Sequence, residues 1–252
     1  MRDILRAVAE GELSVDEAEA ALAGYVTSEA GRFDAARESR RGVPEAILAE
    51  GKSSAELADL STSALESTDR AILTRVDAER RTAVVEAIET ETDAEVRVEG
   101  STIVAHAPDF EAADLDATVG VVTAGTSDAP AADEAATIAT EMGASVERYG
   151  DIGVAGVHRL FDHLEALRSA EVLIVAAGRE GALPTVVAGL VDTPVIGLPT
   201  SIGYGHGGAG EAALSGMLQS CSVLTAVNID AGFVAGAQAG LIARAIDGAK
   251  RA

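Results

Sequence analysis

The sequence predicts an α/β fold in which a C-terminal doubly wound domain, three layers built about a parallel sheet, follows a smaller, mostly helical α+β domain. Two observations predict it. Beyond about residue 117 five short, nearly continuous apolar runs alternate with segments of helical length. Such runs suit strands covered on both faces by helices. Before about residue 112, helical spacing dominates instead, and the acidic stretch from Ala107-Pro108-Asp109 to Asp116 reads as the linker. The predicted domains are 1–112 and 117–252.

In the first domain Leu5, Val8, Leu13, Val15, Ala18 and Leu22 recur at helical spacing, interrupted at Gly11-Glu12 and restarted by a Ser14 cap with Glu17 three residues on. That predicts a helical hairpin. Ser53-Ser54 ahead of Glu56 and Leu57 starts another helix through Leu65. Ile72 to Val76 and Val96 to Val98 read as short strands. Arg37, Arg40 and Arg41 ahead of a turn at Gly42-Val43-Pro44, and Lys52 just past Gly51, stand out in a base-poor chain, and ion pairs with the many acids are their plainest reading.

In the second domain the predicted strands are Thr118 to Ala124, Ala144 to Tyr149, Val172 to Ala176, Pro194 to Leu198 and Val223 to Ile229. The helices between and after them are Ala131 to Met142, Gly156 to Arg168, Leu183 to Leu190, Ala209 to Leu218 and Ala235 to Ile246. Ala235, Ala239 and Gly240 on the last helix would let it pack closely against a partner.

Composition excludes whole classes of function. The 252 residues carry 41 acids against 19 bases, a net charge of −22. That surface repels nucleic acid, whose binding requires neutralised phosphates. An acid-rich chain with two lysines, Lys52 and Lys250, and no tryptophan suits the cytoplasm of a salt-loving organism, where salt screens the self-repulsion. No apolar run is long enough to span a membrane, and the acid-bearing start is not that of a signal peptide. One cysteine, Cys221, rules out an internal disulfide and cysteine-rich metal sites, and fits a reducing cytoplasm.

Parallel sheets of this kind bind ligands beyond the carboxyl ends of their strands. The loop after the first strand, Gly125-Thr126-Ser127-Asp128, leads into a helix with Pro130 in its first turn, which suits either an anion at the free N–H groups or simple capping. After the second strand come His158 and Arg159, able to hold a carboxylate or phosphate, or mere surface decoration. After the third come Arg179 and Glu180, the latter a candidate base or metal ligand, with a local ion contact as the plain alternative. After the fourth lie five glycines within residues 203 to 210, including Gly205, Gly207 and Gly208 around His206, a loop that passes close to a ligand or moves. Cys221 precedes the fifth strand, a candidate nucleophile or ordinary apolar filling.

Four of these segments resemble the carboxylases of purine biosynthesis that act on aminoimidazole ribonucleotide. They are Gly125-Thr126-Ser127-Asp128, Gly156-Val157-His158-Arg159, Gly178 to Pro184, and Pro194-Val195-Ile196-Gly197-Leu198-Pro199. The departures are Ala182, where the purine enzymes carry histidine before Leu-Pro, the added Arg179 and Glu180, and the cysteine. With the N-terminal Arg40-Arg41-Gly42-Val43-Pro44-Glu45 and the Gly203 to Gly210 loop, these departures make nearly the whole chain similar to the LarB family, pyridinium-3,5-biscarboxylic acid mononucleotide synthase.

That resemblance implies a PurE-like catalytic domain and a first step of nickel-pincer nucleotide cofactor synthesis. Nicotinic acid adenine dinucleotide and carbon dioxide or bicarbonate would be the substrates, with magnesium as cofactor and a homo-octamer with shared sites as the assembly. Cys221 would add covalently to the pyridinium ring. Glu180 would act as base or magnesium ligand, and His158 and Arg159 would position carboxylates or carbon dioxide. Gly125, Thr126, Ser127 and Asp128 would hold phosphate or ribose. Arg179, Gly205, His206, Gly207 and Gly208 would bind the substrate or its phosphates, with His206 as a lid residue. Two readings compete: a purine-pathway carboxylase, disfavoured by Ala182 and the extra domain, and a non-catalytic nucleotide sensor, which leaves Cys221 and Glu180 idle.

Overall fold

The computed structural model describes residues 2–10, 18 and 22–251. The chain divides into two compact units, Met1–Glu111 and Ala112–Ala252.

In the first unit a helix α1 spans Arg2–Glu10; the remainder of the expected helical hairpin, with the Ser14 cap, lies outside the described residues. A hairpin follows, β1 (Val26–Ser28) with β2 (Gly31–Phe33), then a short helix α2 (Arg37–Arg41) and strand β3 (Ile47–Leu48). Helix α3 (Ser54–Thr68) starts where Ser53 and Glu56 predicted it: the Ser53 hydroxyl accepts the Glu56 amide while the Glu56 carboxylate accepts the Ser53 amide. Strand β4 (Arg70–Thr74), helix α4 (Ala78–Glu91) and the strands β5 (Glu95–Glu99) and β6 (Thr102–His106) complete the unit. The order β3-β4-β6-β5 makes a four-stranded mixed sheet, parallel only between β3 and β4. Leu57, Leu60 and Ala64 of α3 and Val84 and Ile88 of α4 bury against Ala71 and Leu73 of β4 and Ile103 and Ala105 of β6. Neither α4 nor β6 is predicted by the sequence pattern, so this unit carries more sheet than expected. Three residues of the basic cluster are engaged locally. Arg37 pairs with Glu45 at 2.7 Å, Arg40 with Asp34 at 2.6 Å, and the Lys52 ammonium donates to the Leu48 carbonyl at 2.8 Å.

The second unit is a doubly wound parallel sheet. Its strands are β7 (Thr118–Thr123), β8 (Ser145–Tyr149), β9 (Val172–Ala177), β10 (Val195–Pro199) and β11 (Thr225–Ala226), in the order β11-β10-β9-β7-β8. The β11 ladder continues past its assigned end, as Val227 donates to Gly197 and Asp230 to Pro199. One face is covered by α5 (Ala129–Glu141) and α10 (Gly232–Lys250), the other by α6 (His158–Asp162), α7 (Leu164–Ser169), α8 (Ala182–Ala188) and α9 (Glu211–Leu218). The β9 run is apolar throughout because it is buried on both faces: Ile174 and Ala176 face α5 and α10, Leu173 and Val175 the other layer.

Two expectations change. The long helix expected from Gly156 to Arg168 is broken at His163, whose amide turns back to the Leu160 carbonyl, three residues away, instead of continuing the four-residue ladder. The small residues of α10 are spent inside the unit and not on a partner. Gly236 lies against the Ala135 carbonyl and Ile138, Gly240 against Met142, and Ala235 and Ala239 are fully buried. No described helix is long and apolar enough to cross a membrane.

Candidate active site

With β7 and β9 adjacent and β8 and β10 on their outer sides, the chain connections leave β7 in one direction and β9 in the other. A crevice opens at such a switch point, beyond the carboxyl ends of the strands. A cavity of about 370 Å³ lies there, lined by Gly125, Ser127 and Asp128 after β7, Gly153 to Ala155 after β8, Gly178 to Glu180 after β9, and Ile202 after β10.

The loop after β7 is fastened by Asp128. Its carboxylate is 4 % exposed, accepts the Gly125 amide at 2.8 Å and receives the Thr200 hydroxyl at 2.5 Å. The carboxylate makes no cap hydrogen bond to α5; it braces the loop instead, a part distinct from both the anion binding and the helix capping that the sequence suggested. Ser127 stays exposed at the start of the 13-residue helix α5, where unpaired N–H groups favour an anion.

The loop after β9 is pressed against the loop after β10. A Cβ at Gly178 would lie 2.3 Å from the Ile202 carbonyl oxygen, so glycine alone permits this approach. Arg179 then adopts a left-handed backbone (φ 52°), a conformation that costs a non-glycine residue about 1–3 kcal/mol. Its amide donates to the Ile202 carbonyl at 2.7 Å, which holds the turn. Its guanidinium lies over the Tyr204 ring, 4.5 Å from the centroid. Hydrogen bonding from Arg179 and then its charge draw the Tyr204 phenol below its ordinary value. Glu180 is exposed at the mouth, and its backbone carbonyl packs against Gly216 of α9.

Arg179 and Glu180 also line a second cavity of about 220 Å³, formed with Gly203, Tyr204, His206, Gly207 and Gly208. Gly205 sits in the same loop with φ 79°, and nothing lies within 4 Å of where its side chain would start. Thr126 is exposed beside the first cavity without lining it.

Three of the expected residues stand elsewhere. His158 is exposed on α6, outside both cavities, and Arg159 is paired with Asp151 at 2.5 Å. Cys221 is exposed in the turn leading into β11. That turn lies at the amino end of the sheet: Thr225 pairs with Ile196 near the start of β10, and Ser222 lies beside Gly189 at the foot of α8. The cavity opens at the other end. One chain therefore does not bring Cys221 and Glu180 into one pocket. Conversely, Thr200, Ile202 and Tyr204 belong to the site's walls and bracing without being among the expected residues, and their position directly after β10 is the signal the sequence offers for them.

Two protein families match the chain. Residues 118–252 match the AIR carboxylase family and residues 25–106 the LarB/PurE-like N-terminal domain. The C-terminal domain is thus of the AIR carboxylase class. The chain as a whole belongs to the LarB family, carboxylase-family proteins in which that domain follows the LarB N-terminal domain. An uncharacterized protein of Methanocaldococcus jannaschii, MJ0165, is 37% identical over 252 residues, covering 97% of each chain. Among solved structures, Treponema denticola PurE is 22% identical with a TM-score of 0.40, covering 51% of this chain and 78% of its own. A variant of Treponema denticola PurE2 is 18% identical with a TM-score of 0.38, covering 53% and 94%.

Proposed function

We propose that the protein carboxylates nicotinic acid adenine dinucleotide and cleaves its phosphoanhydride, yielding pyridinium-3,5-biscarboxylic acid mononucleotide and AMP. The observation that carries this reading is the loop after β9. Where the purine enzymes have a histidine before Leu-Pro this chain has Ala182, and it sets Arg179 and Glu180 at the mouth of the crevice instead. A carboxylate and a guanidinium side by side suit a substrate with a proton to remove and phosphates to bind.

A pyridinium ring is electron-poor and does not attack carbon dioxide. Addition of a thiolate at the carbon beside the ring nitrogen forms a C–S bond and turns the neighbouring carbon into an enamine-like nucleophile. That carbon bonds carbon dioxide, gives up its proton to a base such as Glu180, and the ring expels the thiolate to regain aromaticity. Water then attacks the phosphoanhydride, and AMP departs. Since Cys221 lies at the opposite end of its own sheet, the thiolate at each site comes from Cys221 of a second copy of the chain, which also supplies the reason for an oligomer, taken here as a homo-octamer. Among the described residues no three His, Cys, Asp or Glu side chains gather as a metal cluster. A magnesium ion would therefore arrive on the substrate's phosphates, with Glu180 supplying one carboxylate, and would neutralise charge there.

The test is mass spectrometry after incubation with nicotinic acid adenine dinucleotide, labelled bicarbonate and magnesium. AMP plus a mononucleotide bearing the labelled carboxylate is the expected outcome. Carboxylation of aminoimidazole ribonucleotide instead would return the protein to the purine reaction. Cys221→Ser and Glu180→Gln should each be inactive, and co-expression of the two should recover partial activity in mixed oligomers. Failure to recover would refute the shared site.

A further inference from the structure

The wall formed by Arg179 and Glu180 is common to both cavities. The second, at about 220 Å³, falls below the range of roughly 300–1,000 Å³ usual for a self-sufficient ligand site, so it serves as an annex of the first. Its most prominent side chain is Tyr204, 80 % exposed, with the Arg179 guanidinium set against its ring. In a chain with three tyrosines and no tryptophan, an aromatic ring backed by Arg179 and otherwise held in the open beside a glycine loop is a stacking platform with most of its surface accessible to a ligand. The ridge between the cavities carries the cation, where a phosphoanhydride joining two nucleotides would cross it.

We propose that the smaller cavity is the adenylate subsite: the purine of the dinucleotide stacks on Tyr204, Arg179 meets the bridging phosphates, and the nicotinate mononucleotide half fills the larger cavity. This assignment rests on the dinucleotide reading above and makes Tyr204 a specificity-determining residue. A substrate that lacks the second nucleotide would leave the annex empty and forgo that binding energy.

Titration of the full-length protein with AMP and, separately, with nicotinic acid mononucleotide tests it. AMP should quench tyrosine emission. Tyr204→Ala should weaken AMP binding about 5- to 150-fold, the range for loss of one base stack, and leave the mononucleotide's affinity unchanged. Tyr204→Phe keeps a ring and should retain most of the AMP affinity. Unchanged AMP binding in Tyr204→Ala, equal weakening of both ligands, or no AMP binding by the wild type would overturn the subsite. Turnover assays separate this from the proposed reaction. Dinucleotide turnover with an unaltered KM in Tyr204→Ala sinks the subsite and spares the reaction. Tyr204-dependent AMP binding without turnover does the reverse.

Discussion

The Thr200 hydroxyl donates a 2.5 Å hydrogen bond to the Asp128 carboxylate, joining residues 72 positions apart and tying the loop after β10 to the loop after β7. Both groups are buried, at 1 % and 4 % exposure. The same carboxylate accepts the Gly125 amide, so the turn at the start of α5 is held from two sides. Thr200→Val preserves shape but strands a buried acceptor, a loss of about 1–3 kcal/mol. The denaturation midpoint should fall accordingly and KM for the substrate should rise, while Thr200→Ser should restore both. An unshifted midpoint in Thr200→Val would show that water replaces the hydroxyl without cost.

Helix α10 offers an internal control on packing. A Cβ at Gly236 would lie 2.3 Å from the Ala135 backbone oxygen, one at Gly240 2.6 Å from the Met142 sulfur, and one at Gly248 would meet nothing within 4 Å. Alanine gains about 1 kcal/mol over glycine in a helix, whereas overpacking costs about 1–3 kcal/mol. Gly236→Ala should therefore destabilise most, because backbone does not give way. Gly240→Ala should destabilise less, since a methionine side chain can move, and Gly248→Ala should stabilise. Thermal melts of the three variants decide the order, and a stabilised Gly236→Ala would contradict the close α5–α10 approach.

What the sequence disclosed follows from where burial is two-sided. The β9 segment Val172–Ala177 is buried along its whole length, so its apolar run was unmistakable. Helix α4 was passed over because Val84 and Ile88 are its only buried side chains among many acids and arginines. Strand β6 is nearly as buried as β9, but its apolar run is only Ile103-Val104-Ala105 between Thr102 and His106, too short to stand out as a strand. The close-packing residues of α10 were legible as such, but their partner, α5, depends on long-range topology. For Cys221 the residue type pointed to chemistry, whereas its distance from Glu180 is set by the direction of the sheet, which local pattern does not carry. Tyr204 was hidden by the glycines around it.

Acid should loosen the second unit through Glu171. Hydrogen bonds from the Lys250 ammonium at 2.7 Å and the Thr118 amide at 2.7 Å hold its carboxyl below the ordinary 4.5. A depressed folded pKa contributes stability that is present above 4.5 and is lost as pH falls through the folded value. The same contact raises the Lys250 pKa above 10.5, so its share is present below that pH and lost as pH rises through the folded value. Urea midpoints measured from pH 7 to pH 3 should fall more steeply for the wild type than for Glu171→Gln, which is less stable at pH 7 and converges with it in acid. Parallel curves would show that the ion contact is not formed in solution.

Salt should stabilise the protein, and the shape of the dependence identifies the cause. A net charge of −22 on 252 residues sets acids against one another across the folded surface more closely than in the unfolded chain. Screening removes that penalty as the Debye length falls from about 10 Å at 0.1 M to about 3 Å at 1 M. Once that length is shorter than the spacing between neighbouring carboxylates, added salt screens nothing further. The melting temperature should then climb steeply with potassium chloride below about 1 M and flatten above it. Exclusion of salt from the protein surface behaves differently, continuing to rise with concentration and differing between chloride and sulfate. A melting temperature that rises linearly to several molar, or that sulfate raises far more than chloride at equal ionic strength, would assign the stabilisation to exclusion and leave the acidic surface without a part in it.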